Sequence, residues 1–236
     1  MESDTLYIFM MLTRHNRFVV ALDADAITPV HFTDYYKPGE STMFDEVKIW
    51  EAACATSAAT TFFKPVKIMS GGVPRTFVDG ALGANNPVNR LWIEAEAQFP
   101  RAPLEAQIRC LLSIGTGRPA LISFGDTVSG LLNSIKKIAT ETQRTAETFH
   151  DMHRTLADRD SYFRFNPPYI DEVGLHEAGK RAIVEARTAA YTEDPEVKMA
   201  MERFRQAVGE EQSASVHLRS RLHQIFLDDI SCRASF

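Results

Sequence analysis

Short hydrophobic stretches separated by turn-forming residues dominate the first half of the chain, which predicts several β-strands. Residues 17–22 (RFVVAL) form a β-branched run, and residues 29–36 (PVHFTDYY) alternate between apolar and polar positions. Residues 66–69 and 76–78 flank a turn that contains glycine and proline. Residues 108–114 (IRCLLSI) are almost continuously apolar, as in a strand buried on both faces. We therefore predict two pairs of strands followed by a buried strand.

A helical pattern begins after the breaker at residues 37–39 (KPG). Thr42 and Asp45 have the spacing of a capping box. Apolar or small residues then recur at helical spacing, namely Val47, Trp50, Cys54 and Ser57. Residues 52–60 are almost all small, which lets a helix approach a neighbouring element closely. We therefore predict one helix packed hard against the sheet.

Residues 79–87 (DGALGANNP) combine two glycines, two asparagines and a proline, which predicts a loop with special backbone angles. Asn86 is a favourable N-cap, and Pro87 suits the first position of a helix. The helix that follows is predicted to bury one stripe of side chains, namely Val88, Leu91, Trp92, Ala95 and Phe99.

From about residue 126 onward the pattern becomes mostly helical. The predicted helices cover residues 131–139, 140–159, 178–191 and 195–208, and an extended break contains Phe163, Phe165 and the Pro167-Pro168 pair. Alternation of strands and helices in the first half predicts an α/β layered core. The second half is predicted to add a mostly helical cover.

Composition and charge narrow the classes of function. The chain has 236 residues, a hydrophobic content of 44% and a formal net charge of -5. The acidic balance argues against a nucleic-acid partner, because such proteins concentrate basic residues on one face. The apolar stretch at residues 6–12 is too short to span a bilayer, so no transmembrane segment is predicted. We interpret that stretch as the remnant of a core element.

The cysteines and histidines show no pattern of disulfides or metal ligands. The three cysteines, Cys54, Cys110 and Cys232, are far apart and include no C-x-x-C pair. Cys54 and Cys110 are predicted to be buried thiols in a reducing environment. His150 and His153 are interpreted as part of a solvated helix face, because no further ligands accompany them at suitable spacing. No metal and no cofactor are predicted.

Two segments in a fixed order carry the most specific signal. Residues 50–66 read WEAACATSAATTFFKPV, and residues 75–88 read RTFVDGALGANNPV. The series resembles the patatin-like phospholipase family, with a fungal-type appearance. In that family a small-residue helix leads to an aromatic pair, and a later strand ends in an Asp-Gly-Ala or Asp-Gly-Gly motif. The resemblance covers about residues 15–205, and it is strongest over residues 48–118.

The resemblance implies a fold and a domain arrangement. The chain is expected to be the C-terminal part of a patatin-like three-layer α/β/α domain with additional C-terminal helices. Residues 1–125 are expected to form a partial α/β core. Residues 126–236 are expected to form the mostly helical C-terminal part of the same domain.

The resemblance also implies a chemistry. Members of the family hydrolyse ester bonds of lipids with a serine and an aspartate, and the matching aspartate here is Asp79, in the motif Asp79-Gly80-Ala81. Asp79 is expected to accept the proton of the serine hydroxyl, with no histidine, metal or cofactor. The expected substrate is a lipid ester at a membrane or lipid-droplet surface. The expected location is cytoplasmic, with peripheral membrane contact.

The sequence departs from the family pattern at the nucleophile. It contains no G-x-S-x-G motif, which is where the family places its serine, and no glycine-rich loop of the D-G-G-G type. We therefore expect either a fragment or truncated product that is inactive alone, or a degenerate non-catalytic member that binds lipid or protein. A third expectation is that the isolated chain folds poorly, because an incomplete sheet exposes an edge.

The same residues have alternative interpretations. An Asp-Gly pair alone most often forms a turn, so Asp79 also has a purely structural interpretation. Ser57 and Cys54 are interpreted as close-packing residues rather than as nucleophiles. Ser113 is predicted to be a hydrogen-bonded core hydroxyl. The glycine turn at residues 115–117 either cradles an anion or only reverses the chain.

Active-site labelling tests the missing nucleophile. Because the sequence lacks the G-x-S-x-G serine, we expect the chain alone to stay unlabelled after incubation with a fluorophosphonate probe. Intact-protein mass spectrometry measures the outcome. Stoichiometric labelling at a single residue would contradict the interpretation that the nucleophile is missing.

Overall fold

The computed structural model describes residues 16–37, 41–60, 62–117, 130–168, 170 and 178–209, without the side chains of residues 41, 42, 44 and 130–139. The described chain divides into two compact units, with the boundary in the sequence between Leu91 and Trp92. We call residues 16–91 the first unit and residues 92–209 the second unit. The apolar stretch at residues 6–12, the predicted boundary at residue 125 and Cys232 lie outside the described residues.

The first unit is built on a four-stranded antiparallel sheet in the order β2-β1-β4-β3. The strands are β1 (Phe18–Asp23), β2 (Thr28–Thr33), β3 (Val66–Ser70) and β4 (Val73–Asp79). This confirms the two pairs of strands predicted from the sequence. Gly71 and Gly72 join β3 to β4 with φ angles of 59° and 77°. Two consecutive positive φ angles match the right-handed twist of a tight hairpin, which explains the glycine pair.

Two short helices, rather than one, follow β2. They are α1 (Ser41–Glu46) and α2 (Ile49–Thr56). The single helix predicted through residues 42–57 is therefore wrong, because Lys48 takes an extended conformation with ψ of 152° and breaks it. The backbone N–H of Lys48 donates to the Glu51 carboxylate at 2.9 Å, which caps the new helix start.

The side of α2 that packs inward differs from the predicted stripe. Trp50 is 60% exposed, and Cys54 is exposed. The interpretation of Cys54 as a buried thiol is therefore wrong. The buried residues are Ala55, Thr56, Ala58 and Ala59, since the chain can approach the sheet most closely where its side chains are smallest.

The core of the first unit lies between α2 and one face of the sheet. It contains Ala21, Phe32, Ala55, Ile68 and Phe77, all buried. The rings of Phe32 and Phe77 meet edge to face with centroids 5.1 Å apart. Such pairs add directional packing to the hydrophobic burial, and this one links β2 and β4 on either side of β1.

A partly buried ion pair fixes the end of β1 against β4. The Asp23 carboxylate accepts hydrogen bonds from Nε and Nη2 of Arg75, at 2.9 and 2.6 Å. It also accepts from the backbone of Asp25 and Ala26 in the β1–β2 turn. Burial opposes ionisation of Asp23, but the hydrogen bonds from Ala26 and Arg75 outweigh it and hold the pKa of this carboxyl below its ordinary value.

The second unit is mixed. Helix α3 (Ala81–Ala84) still belongs to the first unit. Helix α4 (Val88–Gln98) begins in the first unit and continues into the second. The remaining elements are α5 (Leu104–Gln107), β5 (Leu111–Ile114), α6 (Gly130–Met152), α7 (Arg154–Asp158), β6 (Tyr162–Phe165), α8 (Arg181–Glu193) and α9 (Pro195–Val208). Strands β5 and β6 pair in parallel. Residues 163–165 were predicted to be part of an extended break, and the pairing makes them a strand.

Helix α9 covers one face of the β5–β6 pair. Phe163, Phe165, Met201 and Phe204 form its buried core, with Phe163 and Phe204 edge to face at 5.5 Å. The Asp194 side chain caps the first turn of α9 by accepting from the backbone N–H of residue 196 at 2.8 Å. The predicted helices over residues 178–191 and 195–208 are thereby confirmed.

His153 is not on a solvated helix face, so that interpretation is wrong. Its ring lies 4.0 Å from the Trp92 ring and 4.5 Å from the Phe149 ring, centroid to centroid. Its Nδ1 pairs with Glu105 at 3.0 Å, and this hydrogen bond lowers the pKa of the Glu105 carboxyl. The distant partners Trp92 and Glu105 remove His153 from solvent, and helical spacing alone cannot reveal them.

Both units combine helices with strands, so the predicted α/β class is confirmed. Across the described residues, no helix combines the length and the hydropathy needed to cross a membrane.

Acid denaturation tests the Asp23–Arg75 pair. Because the pKa of Asp23 is lowered in the folded state, its contribution to stability is present above the unfolded pKa of about 3.9 and is lost as pH falls through the folded pKa. We expect Asp23→Asn to lower the free energy of unfolding at pH 7 by about 1–3 kcal/mol. The variant should also lose less stability than wild type between about pH 4 and pH 2.

Urea titrations at several pH values measure this difference. Asp25→Asn, in the same turn, is the matched control and should keep the wild-type pH dependence, because Asp25 contributes its backbone N–H rather than its carboxylate to this cluster. An Asp23→Asn variant with an unchanged pH slope would contradict the assignment.

Candidate functional site

Asp79 is the last residue of β4 and lies opposite Ala21 of β1 in the antiparallel register. It is buried, with 2% of its surface exposed. The family resemblance implied a strand that ends in the Asp-Gly-Ala motif, and β4 ends at this residue. The position therefore matches the expectation from the sequence, while the catalytic role of Asp79 stays a prediction.

The chain turns into helix α3 directly after Asp79. Gly80 has helical angles (φ −63°, ψ −21°), and the backbone N–H of Ala81 donates to Asp79 Oδ1 at 2.8 Å. The hydrogen bond fixes the side chain to the first turn of α3 (Ala81–Ala84). Asp79, Gly80 and Ala81, the three residues of the predicted motif, thus form one hydrogen-bonded turn.

The segment after α2 supports this turn from behind. The backbone N–H of Asp79 donates to the carbonyl of Ala58 at 3.1 Å, and that of Gly80 donates to the carbonyl of Thr56 at 3.4 Å. The small-residue helix and the aspartate motif, recognised as separate sequence segments, therefore touch through their backbones. Small side chains from Ala55 to Ala59 permit this approach.

Gly80 is required for close contact rather than for an unusual backbone. A Cβ at this position would lie 2.1 Å from the carbonyl oxygen of Val20, which is far inside van der Waals contact. The prediction of special backbone angles in the loop is wrong, because neither Gly80 nor Gly83 has a positive φ. The glycine is explained by the adjacent strand β1.

The loop ends at a buried pair of asparagines. Asn85 and Asn86 are each 7% exposed, and the side chain of Asn86 accepts from the backbone N–H of Val88 at 3.3 Å. This is the N-cap interaction predicted for the start of α4. The predicted stripe on α4 is confirmed for Val88, Leu91, Trp92 and Ala95, which are buried.

The other candidate nucleophiles do not join Asp79. Cys54 is exposed on α2, and Ser57 caps the end of that helix through its backbone. Burial raises the pKa of the Cys110 thiol to about 11, and nearby Arg109 opposes the shift only weakly, so the thiol stays protonated at neutral pH. Ser113 is 1% exposed and accepts from Arg164 Nη1 at 2.8 Å, which confirms it as a hydrogen-bonded core hydroxyl.

The glycine turn at residues 115–117 is filled by a side chain. The backbone N–H of Gly117 donates to Asn166 Oδ1 at 2.8 Å, and a Cβ on Gly115 would lie 2.3 Å from the same oxygen. The Asn166 side chain thus occupies the space beside the turn in which an anion would bind. Of the two alternatives for this turn, the structure supports the purely structural one.

Among the residues that the structure describes, no three histidine, cysteine, aspartate or glutamate side chains gather in a way that could hold a metal ion.

Sequence reasoning missed the residues that hold Asp79 in place. Thr56 and Val20 contact the motif, yet neither belongs to a recognisable short pattern. The one available signal was the threonine itself, since a threonine hydroxyl needs a hydrogen-bond partner when it is buried.

The fold and the site together define a class: an α/β protein with a buried aspartate at the carboxyl end of a strand, clamped by a glycine turn. A sequence model described as "Patatin-like phospholipase" matches residues 9–92, which include Asp79. Over these residues the chain is similar to the patatin-like phospholipase family. The match ends before the glycine turn at residues 115–117.

Curated relatives support the same family. The chain is 30% identical over 157 residues to calcium-independent phospholipase A2-gamma of Oryctolagus cuniculus, which covers 65% of this chain and 19% of that protein. It is 30% identical over 164 residues to the protein of that name from Homo sapiens, with the same shares of the two chains. It is 29% identical over 164 residues to patatin-like phospholipase 1 of Plasmodium falciparum, covering 61% and 24% of the two chains.

The matched region spans about a fifth of the length of the mammalian relatives. The fungal-type appearance expected from the sequence finds no support in these relatives, which come from mammals and from Plasmodium falciparum.

Substitution of Gly80 tests the close contact behind Asp79. Because the new Cβ would overlap the Val20 carbonyl, we expect Gly80→Ala to lower the free energy of unfolding by at least about 2 kcal/mol. Gly83→Ala is the matched control in the same loop. Its Cβ would meet only the ends of the Leu22 and Pro29 side chains at 3.4 Å, so the change should stay within about 1 kcal/mol.

Urea denaturation of both variants measures the difference. Equal stability of the Gly80→Ala and Gly83→Ala variants would contradict the contact between Gly80 and Val20.

Proposed function

We propose that this chain supplies the aspartate half of a serine–aspartate dyad in a lipid acyl hydrolase. The observation that carries the proposal is the geometry of Asp79, a buried carboxylate at a strand end whose Oδ1 is fixed by the Ala81 N–H. The family match over residues 9–92 includes this position. The relatives named above are phospholipases, which supports a lipid ester as the substrate class.

The chemistry follows from the carboxylate. An ionised aspartate beside a serine hydroxyl accepts its proton as the oxygen attacks the ester carbonyl, and it returns the proton to the departing alcohol. Fixed orientation lowers the entropic cost of that transfer. Exclusion of bulk water from a carboxylate that is 2% exposed strengthens its electrostatic effect on the reacting atoms.

The serine of this dyad comes from a segment that carries a G-x-S-x-G motif, which the present sequence does not contain. The chain by itself is therefore proposed to be inactive. In the assembled protein, the substrate is a phospholipid or neutral lipid presented at a membrane or lipid-droplet surface. The proposed location is cytoplasmic, with peripheral contact to that surface.

A chimera tests the role of Asp79. The chain is joined to a segment of a patatin-like phospholipase that carries the G-x-S-x-G serine and the glycine-rich loop, and release of fatty acid from phosphatidylcholine vesicles is measured. We expect turnover in the chimera with Asp79, and a loss of about 10²–10⁴-fold in kcat/KM on Asp79→Asn, as for removal of a general base.

Asp23→Asn is the control for the loss of a buried carboxylate from the same sheet. It removes an ion pair rather than a proton acceptor, so its kcat/KM should stay within about threefold of the parent below its melting temperature. Two results would contradict the proposal: no turnover in the folded parent chimera, or an Asp79→Asn chimera that keeps more than about a tenth of the parental activity.

A further inference from the structure

The hydrogen-bond ladder between β1 and β4 ends at the site. Ala21 and Asp79 form the last pair of the register, and β4 turns away at Gly80. The next residue of β1 is Val20, and its carbonyl oxygen points to this side, because a Cβ on Gly80 would lie 2.1 Å from it. At this place the carbonyl therefore faces a turn rather than a strand.

Thr56, the last residue of α2, forms hydrogen bonds both to β1 and to the turn at Gly80. Its side-chain hydroxyl donates to the carbonyl of Val20 at 2.5 Å, across 36 positions of sequence. The residue is only 3% exposed, so this hydrogen bond is shielded from water. Its backbone carbonyl accepts from the N–H of Gly80 at 3.4 Å.

One residue thus links three elements: α2, β1 and the turn after β4. The hydroxyl fixes Thr56 to β1, and the carbonyl fixes Gly80 to Thr56. Gly80 precedes Ala81, whose N–H holds the Asp79 carboxylate. A shift of Thr56 would move the donor that orients Asp79, while the rest of the sheet kept its own hydrogen bonds.

We propose that Thr56 is a positioning residue for Asp79, acting through the Val20 carbonyl and the Gly80 turn. The inference rests on the proposed function, in which Asp79 is the proton acceptor. Thr56 touches neither the substrate nor the reacting atoms. Its hydroxyl keeps the turn in the one placement in which the Ala81 N–H fixes Asp79 Oδ1.

The test compares Thr56→Val, which removes the hydroxyl at nearly constant shape, with Thr56→Ser, which keeps it. Both are made in the full 236-residue chain labelled with ¹⁵N. Two NMR quantities are measured: the response of the Ala81 amide proton shift to titration of Asp79, and hydrogen exchange at the Gly80 amide. Neither quantity requires enzymatic turnover.

We expect Thr56→Val to lose about half or more of the Ala81 response and to speed exchange at Gly80 about tenfold, since the loss of one hydrogen bond corresponds to a factor of this size. Exchange at Phe32, which pairs with Val19 in the β1–β2 hairpin, should stay at the wild-type rate. Thr56→Ser should keep both quantities within about twofold of wild type.

Thr188→Val is the matched control, a buried threonine of α8 in the second unit, and it should leave the Ala81 and Gly80 signals unchanged. A wild-type Ala81 response in the Thr56→Val chain would overturn the proposal. A Thr56→Ser chain that loses the response would also overturn it, because the methyl group rather than the hydroxyl would then be responsible. The comparison of Thr56→Ser with wild type tests the proposal even if the Thr56→Val chain does not fold.

Failure of the proposed function gives a different result. If the Ala81 and Gly80 signals behave as expected while Asp79→Asn leaves the chimera active, Thr56 positions the carboxylate and the carboxylate is not the base.

Discussion

The carbonyl group of Val20 sets the constraint on which the site depends. It lies where β4 leaves the sheet, and its oxygen would be only 2.1 Å from a side chain at position 80. Position 80 therefore accepts only glycine, and the chain can turn tightly against β1. The same oxygen accepts the hydroxyl of Thr56. One backbone atom thus determines a residue type in the motif and anchors the helix that supports it.

The orientation of Asp79 follows from that anchor. The backbone carbonyls of Thr56 and Ala58 hold the N–H groups of Gly80 and Asp79, and the turn brings the Ala81 N–H to the carboxylate. These hydrogen bonds lie in a buried environment, where each unpaired group would be costly. The Asp79 carboxylate is therefore held by a backbone N–H of its own turn.

Much of the first unit was predictable because its signals are local. The β-branched run and the alternation of apolar and polar residues predicted β1 and β2, and the paired glycines predicted the turn between β3 and β4. The break between α1 and α2 was not predictable from periodicity, because Lys48 and Glu51 form a cap inside a pattern that continues at helical spacing. The same periodicity led to the wrong assignment of Cys54 as buried.

The errors elsewhere share a physical cause, which is contact between residues distant in sequence. Strand β6 exists because β5 pairs with it, although its own segment is only four residues long. His153 is shielded by Trp92 and Glu105, which lie about fifty or more positions away. At the site, the sequence identified Asp79 and its motif through family resemblance. It did not reveal Thr56, whose partner Val20 lies on another strand.

The most direct measurement of the central claim is the distance between Asp79 and the nucleophilic serine. A crystal structure of the chain joined to the segment that supplies the G-x-S-x-G serine would give this distance. The account predicts a serine Oγ within about 2.6–3.2 Å of an Asp79 carboxylate oxygen, with Oδ1 still bound by the Ala81 N–H. A folded domain in which the serine hydroxyl contacts another base, and Asp79 remains covered, would contradict it.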